Sequence, residues 1–334
     1  MKSKPVIEWL TKSSTMYDYY MGNNNIHLRG GRLYEIEAIN TLQNFFNVKI
    51  NPAFIKRENF LMYYFKSHKS LINGDVCLLD PYVVALGKFN KSKKNITIIH
   101  HVDEPQYVLS PFGRLFLHRL LNNLKKVDKV IVVSQYWKDY LNNIGIKNVE
   151  VIYNSFDVNK YKFSEIQRKR FLEKHFPNKR GSIIYLGQNS DGKGLKYVLN
   201  EIDEGNSELI ITGKNKYQDS RVQTMYFSSE EFPLFLSICD IVILMSTMPE
   251  GWNRIAHEAL LSGVPVIGSG SGGMRELLEK SGQVVINNIS DLKDSIKFCY
   301  ENKESLVQHG ISYAKQFDLF YFSKSWRNVI ESIL

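Results

Sequence analysis

The most constraining feature of this chain is the segment 249–276, in which two glutamates, a helical repeat, a short apolar run and a glycine-rich loop follow one another. The two glutamates, Glu250 and Glu258, are eight positions apart, and apolar residues recur at helical spacing from Ile255 onwards. Eight residues correspond to about 800° of helical rotation, which returns to roughly the same face. We predict a helix that begins just after Gly251, with Glu250 in the loop before it and Glu258 on the helix.

The start of a helix beside two carboxylates suits a ligand that carries both phosphate and hydroxyl groups. A helix N-terminus presents unpaired N–H groups and a partial positive charge, which favour a phosphate. A carboxylate one or two turns along the helix accepts hydrogen bonds from neutral hydroxyls such as those of a ribose. The pattern therefore predicts a sugar-nucleotide site, and two solvated glutamates on a surface helix are the alternative interpretation.

The residues after this helix extend the pattern. The run 264–267 is short and apolar and predicts a buried strand, and the glycine-rich loop 268–273 lets the backbone approach a ligand closely. The next helix is predicted to begin at Met274. A strand, a glycine-rich loop and a helix N-terminus form a second potential phosphate cradle.

The run from Glu250 to Glu276 resembles the signature of the retaining family 4 glycosyltransferases. The resemblance implies the GT-B fold, an α/β architecture of two facing Rossmann-like domains, each a doubly wound parallel sheet, with a cleft between them. The length of 334 residues and the alternation of strands with helices also favour two domains with parallel sheets. We expect an acceptor-binding domain at 1–160, a nucleotide-sugar-binding domain at 161–316 and a C-terminal helix, 317–334, that crosses back onto the first domain.

The resemblance also implies where the donor diphosphate is neutralised. In the family a strand leads to a basic residue just after a glycine and then to a Lys-Gly pair, which is retained here as Lys193 and Gly194. Gln188 stands where the family usually has arginine, and glutamine brings no charge. Arg254, at the start of the predicted helix, is a candidate replacement for that cation; a surface arginine or a salt bridge to a neighbouring glutamate is the alternative.

In the first domain the resemblance implies two further site elements. A glycine pair, Gly30 and Gly31, corresponds to the family's position near the donor phosphates and the acceptor. A histidine where a strand leaves the sheet is expected to face the donor sugar, and His101 fits that role better than its neighbour His100. Adjacent strand residues point to opposite faces, so at most one of the two should meet the sugar.

The resemblance and the residue patterns above together give a complete candidate site. The catalytic residues would be His101, Lys193, Glu250 and Arg254. The donor-binding residues would be Gly30, Gly31, Gly187, Gln188, Lys193, Gly194, Glu250, Gly251, Trp252, Asn253, Arg254, Glu258, Gly272 and Gly273. Glu258 would hold the ribose and Glu250 the sugar hydroxyls. We expect no cofactor and no metal, because cations and helix termini can neutralise the diphosphate and the sequence has no Asp-x-Asp motif.

The charge of the chain is distributed unevenly. Residues 1–160 contain 22 Lys and Arg against 13 Asp and Glu, whereas residues 161–334 contain 21 of each. An excess of nine positive charges in the first half predicts an anionic partner there, such as a membrane surface, a lipid diphosphate or an acidic glycan. No nucleic-acid-binding motif accompanies the charge, so we expect no nucleic-acid partner.

One candidate for a membrane contact is the basic amphipathic stretch 112–126, near which lie Lys88, Lys91, Lys93 and Lys94. An ordinary helix that packs on the sheet is the alternative. No apolar run reaches the ~18 residues that span a bilayer or forms a signal-peptide core, so we expect a cytoplasmic protein, peripheral at the inner face of the membrane. The three cysteines form no ligand pattern and are expected to be reduced core residues.

Together with the family resemblance, which implies the retaining outcome, these observations predict an enzyme that moves a sugar from a UDP- or GDP-sugar to a hydroxyl of a glycan or lipid-linked acceptor. The family resemblance implies front-face attack with the leaving phosphate as base, so no protein nucleophile is assigned. A GT-B phosphorylase, a sugar-nucleotide epimerase and a non-enzymatic basic binding protein remain as alternatives. A dinucleotide-dependent oxidoreductase is disfavoured, because no G-x-G-x-x-G string follows an early strand.

Overall fold

A computed structural model describes residues 4–334 except 12, 24–29, 52–72, 88, 91, 180, 189–191, 203–204, 206 and 271. Two of the lysines considered for a membrane contact, Lys88 and Lys91, lie outside the described residues. The chain divides into two compact units, one made of Met1–Ser155 with Leu319–Leu334 and the other of Phe156–Asp318.

The first unit is built on a parallel sheet of six described strands in the order β2-β1-β3-β4-β5-β6. The strands are β1 Val6–Leu10, β2 Asn47–Asn51, β3 Val76–Leu79, β4 Lys94–Ile99, β5 Lys129–Val132 and β6 Val149–Val151. The helices are α1 Ser14–Tyr20, α2 Gly31–Gln43, α3 Pro81–Ala85, α4 Glu104–Val108, α5 Pro111–Leu124 and α6 Gln135–Asn143. β3 and β4 consist mostly of buried apolar residues, as expected of parallel strands covered on both faces.

Side-chain caps fix where the helices of this unit begin. Asp80 accepts a hydrogen bond from the N–H of Tyr82 at the start of α3, and Ser134 accepts one from Trp137 at the start of α6. Each cap lies within two residues of the carboxyl end of its strand, so the chain turns back into a helix at once. The carboxyl edge of the sheet is therefore lined by these turns.

The second unit has a parallel sheet of six described strands in the order β12-β11-β10-β7-β8-β9. The strands are β7 Ile183–Gln188, β8 Glu208–Thr212, β9 Val222–Met225, β10 Ile241–Leu244, β11 Val266–Ser269 and β12 Val284–Ile286. The α-helices are α7 Glu165–His175, α8 Leu195–Glu201, α9 Glu231–Ser237, α10 Arg254–Leu261, α11 Gly272–Lys280, α12 Leu292–Glu301 and α13 Lys303–Ala314. Short 3-10 helices occur at Val158–Tyr161 and Ile289–Asp291.

Both sheets change direction next to their first strand, which confirms the predicted doubly wound α/β fold class. In the second unit β7 lies between β8 and β10, so the chain winds outward in both directions from that point. Ligands of such sheets bind at the carboxyl ends of the strands beside this switch point. The loops after β7 and β10 are therefore where a site is expected.

The last helix, α14 Leu319–Glu331, belongs to the first unit. Its Phe322 and Trp326 are fully buried, and the Phe322 ring meets Tyr34 of α2 edge-on with the centroids 5.2 Å apart. The hydroxyl of Tyr34 donates to the carbonyl of Ile152, 2.9 Å away, which ties this aromatic cluster to the last strand of the first unit.

Candidate functional site

Two loops meet at the switch point of the second unit. Gly194, at φ +68°, begins α8, and a Cβ added to it would lie 1.8 Å from the carbonyl oxygen of Met245. The carbonyl of Gly192 accepts hydrogen bonds from the N–H of Thr247, at 2.8 Å, and from the hydroxyl of Ser246, at 3.1 Å. Glycine is required at 194 both by its backbone conformation and by this contact. The loop after β7 is thereby held against the loop after β10.

This contact brings together two of the residues that the sequence singled out. The ammonium of Lys193 donates a hydrogen bond to Oε1 of Glu250. The Glu250 side chain is 13% exposed and that of Lys193 is 36% exposed, so the pair lies at the surface of the loops and not in the core. An ammonium has three donors, and a carboxylate has several acceptor positions. The pair can therefore bind an anion through the lysine and a hydroxyl through the glutamate at one place.

The backbone of Glu250 is fixed by the glycine pair of the next loop. Glu250 and Gly272 form a parallel bridge, and the N–H of Gly273 donates to the Glu250 carbonyl at 2.8 Å. Gly272 has φ +64°, and a Cβ there would lie 2.4 Å from the carbonyl oxygen of Glu250 and 2.6 Å from its nitrogen. Since the N–H of Gly273 is used by Glu250, the pair acts in this structure as a clamp on the glutamate loop.

The helix that carries Glu258 begins at Arg254, so the prediction that it starts just after Gly251 was wrong. Asn253 caps it instead, with its side-chain oxygen 3.0 Å from the N–H of Ala256. Its amide group also lies 3.3 Å from the sulfur of Met274. Both Asn253 and its neighbour Trp252 are buried, at 7% and 6% exposure. Glu250 lies in the loop before the helix and Glu258 on the helix, half-buried.

Arg254 stacks on an aromatic ring that the sequence analysis did not consider. Its guanidinium carbon is 4.4 Å from the ring centroid of Phe156, and the ring of His257 stacks on the same phenyl ring with the centroids 4.0 Å apart. A guanidinium over an aromatic face is attracted by the ring and keeps its full charge. The half-buried cation is thus fixed at the first residue of the helix.

The remaining predicted donor residues lie at the end of β7. Gly187 has φ +80°, and the pairing of β7 with β8 shifts register between Tyr185 and Gln188. The irregularity leaves Gln188 half-buried opposite Thr212, at the carboxyl end of the strand. Gly251 is buried in the loop that carries Glu250.

His257 is a fully buried neutral residue directly beside Glu258. Its Nδ1 accepts a hydrogen bond from the indole N–H of Trp252, so its proton is on Nε2, which lies 3.0 Å from the carbonyl of Ala314. Burial lowers the pKa of His257 to about 3 from its ordinary value of 6.5. The neutral ring connects the glutamate loop to the end of α13.

This arrangement predicts a loss of stability in mild acid. The unfolded chain takes up a proton as the pH falls through 6.5, while folded His257 stays neutral down to about pH 3. The contribution of neutral His257 to the free energy of unfolding is therefore complete above pH 6.5. It decreases as the pH falls, by about 2 kcal/mol between pH 7 and pH 5. Urea unfolding at both pH values should show His257→Gln losing about 2 kcal/mol less than the wild type over this interval.

The control for this measurement is His309→Gln, at an exposed histidine of α13. This variant should show the same difference in the free energy of unfolding between pH 7 and pH 5 as the wild type. Equal differences in the wild type and His257→Gln would contradict the assignment of a neutral, buried ring.

The two adjacent histidines of the first unit lie in different environments. A Cβ on Gly31, the first residue of α2, would lie 2.9 Å from the His100 ring, and Nε2 of His100 is 3.6 Å from Oε1 of Glu35. His101 is exposed just after the carboxyl end of β4. The ring of His100 is therefore packed within the protein, whereas that of His101 faces solvent.

Glu35 is a half-buried carboxylate that the sequence reasoning missed. Burial raises its pKa, but the neighbouring His100 ring and Arg32, whose guanidinium is 2.7 Å away, hold the pKa below its usual value. The Arg-x-x-Glu spacing directly after the glycine pair is the signal that could have identified it.

Other candidate features are structural. The cysteines Cys77, Cys239 and Cys299 are buried and form no disulfide. No group of three or more His, Cys, Asp or Glu side chains that could hold a metal ion occurs in the part of the chain described. Within the same residues, no helix combines the length and hydrophobicity that a membrane span requires.

Comparison with known proteins identifies the family of both units. Residues 76–160 match the model described as Glycosyltransferase Family 4, and residues 167–317 match Glycosyl transferases group 1. The chain is a glycosyltransferase of these families. The second match includes Lys193, Glu250, Glu258 and the pair Gly272 and Gly273. The glycosyltransferase domain and the geometry above therefore describe the same region.

Two relatives of this glycosyltransferase have similar levels of identity. An uncharacterized glycosyltransferase of Methanocaldococcus jannaschii is 26% identical over 266 residues, which cover 74% of this chain and 71% of that protein. An uncharacterized 41.2 kDa protein in the cps region of Klebsiella pneumoniae is 26% identical over 211 residues, covering 57% of this chain and 58% of that protein.

Solved structures confirm the GT-B fold of the glycosyltransferase. Anabaena HepE in complex with UDP-glucose has a TM-score of 0.74 at 18% identity, covering 98% of this chain and all of that one. Sucrose-phosphate synthase from Thermosynechococcus elongatus has a TM-score of 0.77 at 14% identity, covering 99% of both chains. At these identities the likeness concerns the fold alone.

Proposed function

We propose that this glycosyltransferase retains the anomeric configuration and transfers a sugar from a UDP- or GDP-sugar to a hydroxyl of a glycan or lipid-linked acceptor. The observation that carries the proposal is the contact between Lys193 and Glu250 at the switch point of the second sheet. That contact places a cation and a hydroxyl acceptor where ligands of doubly wound sheets bind. The UDP-glucose complex of Anabaena HepE supports UDP as the first donor nucleotide to test.

Each predicted residue takes one role in this reaction. Lys193 stabilises the negative charge that develops on the departing diphosphate, which lowers the barrier to transfer. Glu250 accepts hydrogen bonds from the sugar, and Glu258 holds the ribose hydroxyls. The leaving phosphate oxygen accepts the proton of the acceptor hydroxyl, so the protein supplies no nucleophile, and no metal is required. In the first unit, exposed His101 contacts the sugar.

Arg254 supplies the charge that Gln188 lacks. Its stacking on Phe156 restricts the guanidinium to the start of α10, where the N–H groups of the helix also favour a phosphate. A cation held by an aromatic face loses less conformational entropy when it binds an anion than a mobile surface arginine does. This supports Arg254 as the second cation of the diphosphate site.

The acceptor side of the proposal depends on charge. The net charge of +9 over residues 1–160 favours an anionic surface or a lipid diphosphate. We therefore propose a peripheral association of the first unit with an anionic membrane at its cytoplasmic face.

Thermal unfolding with UDP, GDP and ADP tests the donor site. We expect UDP or GDP to raise Tm, because a ligand that binds the folded state alone stabilises it, by about 2.7 kcal/mol at 100 times its Kd. Glu258→Ala should weaken nucleotide binding by about tenfold, since a carboxylate that accepts ribose hydroxyls is lost. Glu304→Ala, at an exposed glutamate of α13, should leave the nucleotide-induced shift unchanged.

A wild-type protein that no nucleotide stabilises would contradict the donor-site model. Transfer of radiolabelled sugar to an added acceptor would separate a transferase from the related enzyme classes. Epimerised donor or free sugar phosphate without transfer would instead indicate an epimerase or a phosphorylase.

A further inference from the structure

Four large apolar side chains, close together in the sequence, are exposed where α4 ends and α5 begins. Leu109 is 84% exposed, Phe112 82%, Leu115 56% and Val108 50%. We call these four residues the apolar wedge: Val108 ends α4, Leu109 lies in the connection, and Phe112 and Leu115 lie in the first two turns of α5. Single exposed apolar residues are common on protein surfaces, but a cluster of this kind marks an interaction surface.

The backbone of the wedge is held in one shape by local contacts. Ser110 caps α5 by accepting a hydrogen bond from the N–H of Gly113 at 2.9 Å, and Pro111 is the first residue of the helix. A Cβ on Gly113 would lie 2.2 Å from the carbonyl oxygen of Tyr107, so glycine lets the two helices approach closely. The apolar side chains are therefore presented by a well-fixed turn.

The wedge is not needed for the packing of its own helix. The inner face of α5 buries Leu117, Leu120 and Leu124 in the core of the first unit. Phe116, at the edge of that face, packs on Tyr82 and Tyr107 with ring centroids 4.9 and 5.2 Å away. Phe112 and Leu115 lie on the outer side of α5, where the described structure leaves most of each side chain exposed to solvent.

The charged residues that follow Glu104 in the sequence, as far as Val127, are all cations. Residues 105–127 contain no Asp or Glu but contain Arg114, Arg119, Lys125 and Lys126. Arg119 donates to the carbonyls of Ala85 and Leu86, whereas the other three are exposed. The preceding carboxylate along the chain, Glu104, accepts a hydrogen bond from the hydroxyl of Tyr140. Apolar side chains flanked by cations match the boundary between acyl chains and anionic head groups.

We infer that the apolar wedge inserts into the surface of an anionic phospholipid bilayer, with Arg114 at the head-group phosphates. The inference rests on the proposed membrane association and names the surface responsible for it. The wedge follows His101 in the same connection after β4, so insertion would bring the carboxyl edge of the first sheet to the membrane. An acceptor carried on a lipid would be presented at that edge.

Co-sedimentation with vesicles tests this surface. The wild type should bind phosphatidylglycerol–phosphatidylcholine vesicles and lose that binding at high salt or on pure phosphatidylcholine. Leu109→Ser combined with Phe112→Ser should weaken binding by about tenfold or more, because two apolar side chains that would insert into the bilayer are lost. Arg114→Gln should weaken it by about fivefold, as one head-group cation is removed. In Phe112→Trp, the indole fluorescence should shift to shorter wavelength when vesicles are added.

The second unit offers matched controls. Ile166→Ser removes an apolar side chain that is 65% exposed on α7, and Arg170→Gln removes an exposed cation of the same helix; both should bind vesicles like the wild type. All variants should keep the wild-type Tm and nucleotide-induced shift, which separates this inference from the donor-site proposal. Undiminished vesicle binding by the double serine variant would overturn the inference. So would wild-type self-association that this variant abolishes in the absence of any lipid binding.

Discussion

Lys193→Ala is expected to lower the rate of sugar transfer by about 10²- to 10³-fold, the usual effect of removing one donor that stabilises developing negative charge. The ammonium of Lys193 lies against Glu250 at the switch point, where the departing diphosphate is proposed to bind. Because charge grows on the diphosphate as the bond to the sugar breaks, the loss should fall mainly on kcat and less on KM.

The matched control is Lys196→Ala, which removes the same charge from an exposed position on α8, within one turn of Lys193. It should keep nearly the full rate, since a charge on a solvent-exposed side chain contributes little in water. Initial rates at varied donor concentration, measured for both variants, separate the two effects. Equal rates for Lys193→Ala and Lys196→Ala would remove Lys193 from the mechanism.

Glu250→Gln provides an independent check on the same pair. The amide keeps the shape and can still bind a hydroxyl, but it no longer attracts the ammonium. If the two side chains act as a unit, the variant that combines Lys193→Ala with Glu250→Gln should lose less activity than the product of the two single losses. A strictly multiplicative loss would show that they act separately.

Gly272→Ala is expected to destabilise the protein by about 3 kcal/mol or more and to abolish measurable donor binding. Gly272 has φ +64°, which costs an L-residue roughly 1–2 kcal/mol. The added methyl group would lie 2.4 Å from the Glu250 carbonyl oxygen, and that oxygen is backbone that cannot rotate away. The bridge between Glu250 and Gly272 must open, which displaces the carboxylate from Lys193.

Gly263→Ala is the control that separates backbone strain from the clash. Gly263 has φ +77° just after α10, but a Cβ there would meet its nearest neighbours at an ordinary 3.6 Å. This variant should lose about 1 kcal/mol and keep its donor affinity. Urea unfolding and calorimetric titration with the donor nucleotide measure both quantities. Similar losses of stability and donor affinity in Gly272→Ala and Gly263→Ala would show that Gly272 does not hold the Glu250 backbone in place.

The strands and their parallel arrangement could be predicted because each depends on a local pattern. The apolar runs at β3, β7 and β10 are short and continuous, as expected of strands covered on both faces. The edge strand β9 was not predicted, since only Val222 of its four residues is buried and the sequence 222–225 shows no apolar run. The start of α10 was misplaced because Asn253 acts as the cap only through its bond to Ala256.

The sequence by itself determined the residue types of the donor site and their order, since helix, strand and glycine loop between Glu250 and Glu276 are properties of neighbouring residues. Only the tertiary structure decided what these residues contact. Lys193 reaches Glu250 and Gly273 donates to Glu250 because loops after different strands meet at one sheet edge, and Arg254 stacks on Phe156 from a distant part of the chain. Contacts between residues so far apart along the chain depend on strand order, which no local periodicity contains.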